Sequence, residues 1–296
     1  MGNERLIVLD IETYRTRNPK VVAGLELESL SRKPTTHYLK KFAEALAGGD
    51  GEPDTQTMKS RWDTESMRRF RVKWDLDQTA IDVSLAEPLL VGLRSQDSKI
   101  VHDVMMEPEN AEKQLAELTF LLDGMTTPDT IWAGFNIAGF DLAVLVNTWR
   151  RFQIAPPKHF PVYVNGRWRG RVYDEMLRTP TKTPFVNLET VCGMYGVPMD
   201  DITFRGEAVD GSRVGEVYEA GEWDCLRAYN LADLHCEWLL YQAMTFGDTW
   251  GTYDGGIGEQ LEAILKNDMT GADYNTAKQA LSNYRAFKRG RRSQES

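Results

Sequence analysis

The chain has 296 residues, 42% hydrophobic and 10% aromatic, which is apolar area enough for a sizeable core and excludes wholesale disorder. The 35 basic residues are outnumbered by 44 acidic ones, giving a formal net charge of −9, so overall charge does not hold this protein to nucleic acid. Two routes stay open: an enzyme that gathers carboxylates at a metal site, or a binder with a local basic patch.

No stretch approaches the roughly 18 uncharged apolar residues of a membrane span, and MGNERLIVLD lacks a secretory apolar region. Gly2 matches only the first letters of a myristoylation signal, because Leu6 stands where Ser or Thr is needed. Cys192, Cys225 and Cys236 form no C-x-x-C pair, which argues against a zinc knuckle or a disulfide framework. The expectation is a reducing cytoplasm and no membrane.

Leu6 to Ile11 is a continuous run of β-formers, the pattern of a strand in the middle of a sheet. Between Thr13 and about Ser84 no strand pattern appears. Charged helical stretches, a Gly-Gly-Asp-Gly break at Gly48–Gly51 and a basic-aromatic run from Arg61 to Trp74 point to an inserted helical subdomain. Strands are predicted at Pro88–Leu93 and Lys99–Val104 around a turn at Ser95–Ser98, then a helix over Asn110–Leu122, a strand at Thr130–Phe135 and a helix over Gly139–Phe152. Asn165-Gly166, within Phe160–Tyr173, is the strongest hairpin signal in the chain. A helix at Leu188–Tyr195 should stop at Gly196, and Asp224–Ala243 reads as a long amphipathic helix. Strands interleaved with helices imply an α/β fold with a mixed sheet. The expected organisation is a discontinuous core of residues 1–14 and 85–246, a helical insertion at 15–84, and a helical C-terminal extension with a basic tail at 247–296.

Asp10-x-Glu12 closes the first strand. Residues two apart on a strand share a face, so two carboxylates stand side by side and repel unless a cation lies between them. D-x-E alone is common: Asp50-Gly51-Glu52 and Asp63-Thr64-Glu65 also fit, but in polar context with no apolar strand before them. A second element, Asn136-Ile137-Ala138-Gly139-Phe140-Asp141, runs from strand to helix and puts Asp141 in the first turn; taken alone, it is better explained by helix capping by Asn136 and an acid favoured near the helix N-terminus. The pair Tyr173-Asp174 lacks an Asn at that spacing and is read as closing a strand or shaping the site from one side. A third element, Tyr229-x-x-x-Asp233, sits on one face of the long helix with Leu226 and Cys236, so the face turns inward. An inward Asp needs a partner or a metal.

Strand-end D-x-E, junction N-x-x-x-F-D and helical Y-x-x-x-D, in this order, resemble the motifs of the DEDD 3′–5′ exonucleases of the ribonuclease H-like fold, in their tyrosine (DEDDy) branch. The histidine branch has His five residues before the last Asp, and here that position is Ala228. Asp210-Gly211-Ser212 and Val217-Tyr218-Glu219-Ala220-Gly221, leading into the Tyr229 helix, are similar to stand-alone exonucleases related to the proofreading domain of family B DNA polymerases. The resemblance covers Leu6–Thr13 and about Leu89–Ala243, leaves the insertion and the C-terminal extension uncovered, and includes no polymerase palm motif. It implies a ribonuclease H-like mixed sheet flanked by helices and two divalent ions, Mg²⁺ or Mn²⁺. On that basis Asp10 bridges both ions, Glu12 and Asp233 hold the ion carrying the attacking water, Asp141 holds the second, and Tyr229 orients the nucleophile. Hard oxygen ligands suit these ions, and scattered His and Cys argue against zinc.

For the substrate, Phe135, Asn136 and Phe140 border the second motif; an aromatic wedge on terminal bases and plain core packing both fit Phe140. Arg167, Trp168, Arg169 and Arg171 form a basic-aromatic patch suited to backbone phosphates. So do Arg61, Trp62, Arg68, Arg69, Arg71, Lys73 and Trp74, and a solvated face explains either run. His235 is expected to face away from the acids. The expected activity is 3′–5′ hydrolysis of single-stranded DNA from its 3′ end. The alternatives are a 3′–5′ exoribonuclease, or a non-catalytic nucleic-acid-binding module that keeps the fold.

Overall fold

The computed structural model describes residues 5–46, 54–95, 101–107 (of 101–103 the backbone), 109–179, 186–197, 199 and 202–246. The expected C-terminal extension and basic tail lie outside these residues, as does most of the turn at Ser95–Ser98. In chain order the elements are β1 (Leu6–Tyr14), α1 (Pro19–Ser31), α2 (Thr36–Leu46), α3 (Thr55–Arg61), α4 (Glu65–Asp77), a 3-10 turn (Gln78–Ile81), β2 (Glu87–Ser95), β3 (Val101–Met105), α5 (Ala111–Met125), β4 (Ile131–Gly134) and α6 (Asp141–Phe152). There follow β5 (Val162–Val164), β6 (Arg167–Arg169), β7 (Arg171–Asp174), α7 (Glu175–Arg178), α8 (Leu188–Tyr195), β8 (Thr203–Phe204), β9 (Glu207–Ala208), α9 (Val214–Glu219) and α10 (Trp223–Phe246). None of the described helices is long and apolar enough to cross a membrane.

The chain divides into two compact units, Met1–Thr13 with Pro88–Ser296, and Tyr14–Glu87. The first is an α/β unit built on a mixed sheet of order β3-β2-β1-β4-β7. β4 runs parallel to both β1 and β7, and β2 is antiparallel to β3. β1 lies in the middle, as its apolar run on both faces requires. Ile7, Leu9 and Ile11 point to one side, into a core with Leu115, Leu118 and Leu122 of α5 and Leu142, Leu145 and Trp149 of α6. Leu6 and Val8 point to the other, against Val191 and Cys192 of α8 and Leu234, Trp238 and Leu239 of α10.

This alternation decides where the acids go. Asp10 and Glu12 continue the Leu6–Val8 stripe, so they face the side that α10 covers. Gly134 closes the gap between β1 and β4, where a Cβ would stand 2.6 Å from the Leu9 carbonyl oxygen. The β5–β6 hairpin turns at Asn165 and Gly166, both with positive φ (53° and 78°), the geometry for which Asn-Gly is favoured. Helix α8 ends at Gly196 in the left-handed conformation.

Within Tyr14–Glu87, the described elements between β1 and β2 are the helices α1–α4 and the 3-10 turn. Phe42 is the hub of its core, stacked on Trp62 and edge-on to Phe70 and Trp74, with Leu39, Met58 and Met67 around it. Trp62 and Arg71 are therefore interior residues and not part of a nucleic-acid-facing patch. The Arg71 guanidinium lies over the Trp62 ring at 4.2 Å. Arg69 and Lys73, from the same run, are exposed and paired along the helix with Glu65 and Asp77.

Candidate metal centre

Asp10 and Glu12 leave the end of β1, and Asp233 enters from α10 on the same side of the sheet. One carboxylate oxygen from each lies within 4.8 Å of the others, so the three can hold a metal ion. Asp141 comes from the opposite helical layer. It is the first residue of α6, 3% exposed, directly after the junction that follows β4. The Ile11 backbone N–H bonds to both Asp10 and Asp141, and the charges of these two carboxylates repel. Tyr229, one turn before Asp233, is hydrogen-bonded to it.

The electrostatics are those of acids gathered away from water. Burial pushes Asp10 up to about 6, against hydrogen bonds from Ile11, Asn230 and Glu12 that pull it down. Asp233 is pushed up to about 8 by burial and then by Asp10. Glu12 rises well above the carboxylate range through burial and the charges of Asp10, Asp233 and Asp141. Asp141 does the same, through burial and then Asp10. Tyr229 is raised too, by burial and by the adjoining carboxylates, so its phenol keeps its proton and acts as a donor. Like charges in a low-dielectric space are tolerated when protonated or when a cation sits among them. An all-oxygen donor set fits a hard divalent ion such as Mg²⁺, Mn²⁺ or Ca²⁺.

The junction carrying Asp141 is pinned from three sides. Phe135 N donates to Glu237 Oε1 (3.0 Å), Ala138 N to Asp174 Oδ2 (2.9 Å), and the Trp168 indole to the Ala138 carbonyl (2.7 Å). Asn136 takes a left-handed conformation (φ 57°) and its carbonyl accepts from Gly139 N and Phe140 N. Its contribution is this turn; the helix N-cap is Phe140, with no side-chain capping bond. Asp174, the shaping residue expected from Tyr173-Asp174, also caps α7 by accepting from Leu177 N.

Of the substrate-side candidates, Arg167, Arg169 and Arg171 are exposed on the hairpin and the start of β7. Trp168 is half-buried, turned towards the core and the Ala138 carbonyl. Phe135 packs on the α10 side of the sheet, and Phe140 is half-buried. His235 lies at 3.4 Å from Arg94, whose guanidinium covers the Trp238 ring.

Four residues escaped the sequence reading. Asn230 donates to Asp10 at 2.6 Å. Glu237 continues the Tyr229–Asp233 stripe by one more turn, a spacing that sequence alone displays. Glu175 is fully buried with neither carboxylate oxygen hydrogen-bonded, and only the packing of α7 reveals it. Tyr163, exposed on β5, is the cross-strand partner of Trp168 and meets it edge-on at 5.2 Å on the same face of the hairpin. No protein-family model matches this chain, and no curated protein matches it either.

Proposed function

We propose that this chain is a 3′–5′ exonuclease that hydrolyses single-stranded DNA from its 3′ end, on a ribonuclease H-like core with two divalent ions, Mg²⁺ or Mn²⁺. The observation that carries the reading is the convergence of the Asp10, Glu12 and Asp233 oxygens within 4.8 Å at the end of the central strand. The sheet order β3-β2-β1-β4-β7, with its antiparallel edge and parallel half, is compatible with that core. The raised affinity of these acids for protons supports the reading further, since a site that keeps protons at neutral pH is one that a cation can neutralise.

In this reading Asp10, Glu12 and Asp233 would hold one ion, and Asp141, with Asp10, would hold the second. When bound, such a pair supplies an activated water and neutralises charge on the phosphate and on the departing 3′ oxygen. Tyr229 keeps its proton, donates a hydrogen bond to Asp233, and would orient the nucleophile by accepting from it at the phenol oxygen. The junction residues Glu237, Asp174 and Trp168 hold Asp141 in place. Trp168 ties the hairpin to Ala138, and its strand neighbours Arg167 and Arg169, exposed on the other face of the hairpin, are suited to backbone phosphates.

A 5′-labelled single strand incubated with the protein and Mg²⁺ or Mn²⁺ tests the reading. The expected product is a ladder shortening from the 3′ end on DNA. A ladder on RNA alone assigns the activity to the other backbone, and binding without shortening rejects catalysis.

A further inference from the structure

Asn230 lies fully buried on α10, next to Tyr229. Its amide nitrogen donates to Asp10 Oδ2 at 2.6 Å, and the same side chain hydrogen-bonds Glu12. Besides the Ile11 N–H and the mutual hydrogen bond of Asp10 with Glu12, the pair needs donors while no cation is bound, and one primary amide has two N–H groups to offer. The other end of this amide is in a different situation. Its oxygen is buried, has no hydrogen-bond partner, and abuts Gly92 on β2. A Cβ at position 92 would overlap that oxygen and stand 3.1 Å from Asn230 Cγ. Glycine inside a buried strand weakens it, and in such places marks close approach of another group.

We propose that Asn230 is a positioning residue for the Asp10–Glu12 carboxylate pair, and that residue 92 is glycine because the Asn230 amide occupies the space a side chain would fill. The inference rests on the metal-centre reading above. The amide fixes the rotamers of Asp10 and Glu12 while no ion is bound, with its partial positive charge against the oxygens that repel each other. The ligand oxygens are thereby preset, and less reorganisation accompanies ion binding. Ala or Leu at 230 removes the donors. Ala at 92 displaces the amide without touching any carboxylate.

Mn²⁺ affinity of the full chain by titration calorimetry, together with cleavage kinetics at saturating Mn²⁺ and thermal melts, tests this in Asn230→Ala, Gly92→Ala and the double variant. Asn230→Ala is expected to weaken Mn²⁺ binding by about 10–100-fold, and to lower kcat while leaving KM for the oligonucleotide unchanged. Gly92→Ala should do the same, and the double variant should be no worse than Asn230→Ala alone, because the clash has lost its second member. Wild-type affinity and kcat in Asn230→Ala would overturn the inference, as would a Gly92→Ala effect that persists in full in the double variant. If Gly92→Ala fails to fold, a double variant that folds supports the steric link and one that does not refutes it. Absence of Mn²⁺ binding in the wild-type chain defeats the metal-centre reading and this inference with it. Binding in wild type that Asn230→Ala leaves intact defeats the inference alone.

Discussion

The two units of this chain shelter their acids in opposite ways. In Tyr14–Glu87, carboxylates meet basic partners: Arg32 with Asp75 at 2.7 Å, Arg17 with Glu87 at 2.5 Å, and the more open Arg15 with Asp77 at 3.0 Å, while the buried Arg71 lies over the Trp62 ring and donates to the Arg32 carbonyl. Ser29 adds a hydroxyl donor to Asp75. At the end of the sheet in the other unit, Asp10, Glu12, Asp141 and Asp233 meet one another, and their mutual repulsion adds to the effect of burial. Paired burial holds helices in register and is satisfied without help from outside. Burial of like charges is stable only with protons or a cation, which is what makes this cluster a candidate site.

The largest test of this contrast is the removal of acids from both sides of the centre. Asp10→Ala with Asp141→Ala should lower hydrolysis by at least about 10³-fold, the scale for removing one preorganised electrostatic contributor; retained metal-dependent cleavage of the labelled strand would reject the assignment. Neutralising one acid in each unit should move stability in opposite directions. Asp75→Asn takes from Arg32 its 2.7 Å partner, leaving only the more open Glu28 at 3.9 Å, and should destabilise the fold by roughly 1.5–3 kcal/mol. Glu12→Gln relieves repulsion and should raise the melting temperature of the metal-free chain at pH 8. Denaturant melts of the two variants side by side decide this, and a shift of the same sign in both would remove the distinction.

pH provides a gentler probe of the same difference. Asp10 at about 6 and Asp233 at about 8 stand above the ordinary value near 4, so the folded chain retains protons that the unfolded chain has released. Their contribution to stability is complete below about pH 4 and is lost as pH rises through 6 to 8. With a chelator, melting temperature should fall across that window; with Mn²⁺ the fall should disappear, and a rise with pH in the chelator would contradict the charge assignment. Tyr229→Phe removes one hydrogen bond and should slow hydrolysis about 10-fold, the equivalent of roughly 1–1.5 kcal/mol. Smallest of all, Arg167→Ala with Arg169→Ala should raise KM a few-fold and flatten its salt dependence, with kcat unchanged, if the hairpin contacts phosphates.

The geometry within each element was legible before any packing was known. A β-former run of both-face apolarity placed β1 centrally, and its period of two put Asp10 beside Glu12. Helical spacing paired Tyr229 with Asp233. Asn165-Gly166 and Gly196 declared a hairpin and a helix end, because each demands a positive φ that few residues supply. The basic-aromatic run from Arg61 to Trp74 was harder to read. Charge and aromaticity at helical spacing do not say which side packs, and the structure turns Trp62 and Arg71 inward while Arg69 and Lys73 stay in solvent.

What the sequence determined by itself, then, is everything that follows from a fixed local period: which residues share a face of one strand or one helix, and where the chain must turn. Tertiary structure alone decided which faces meet. The proximity of Asp10 to Asp233 and Asn230, the room that Gly92 leaves for the Asn230 amide, and the clasp of Glu237 and Asp174 on the Asp141 junction join residues far apart along the chain. Those juxtapositions arise from burying both faces of one sheet under two layers of helices, and no local spacing encodes which helix lands on which face.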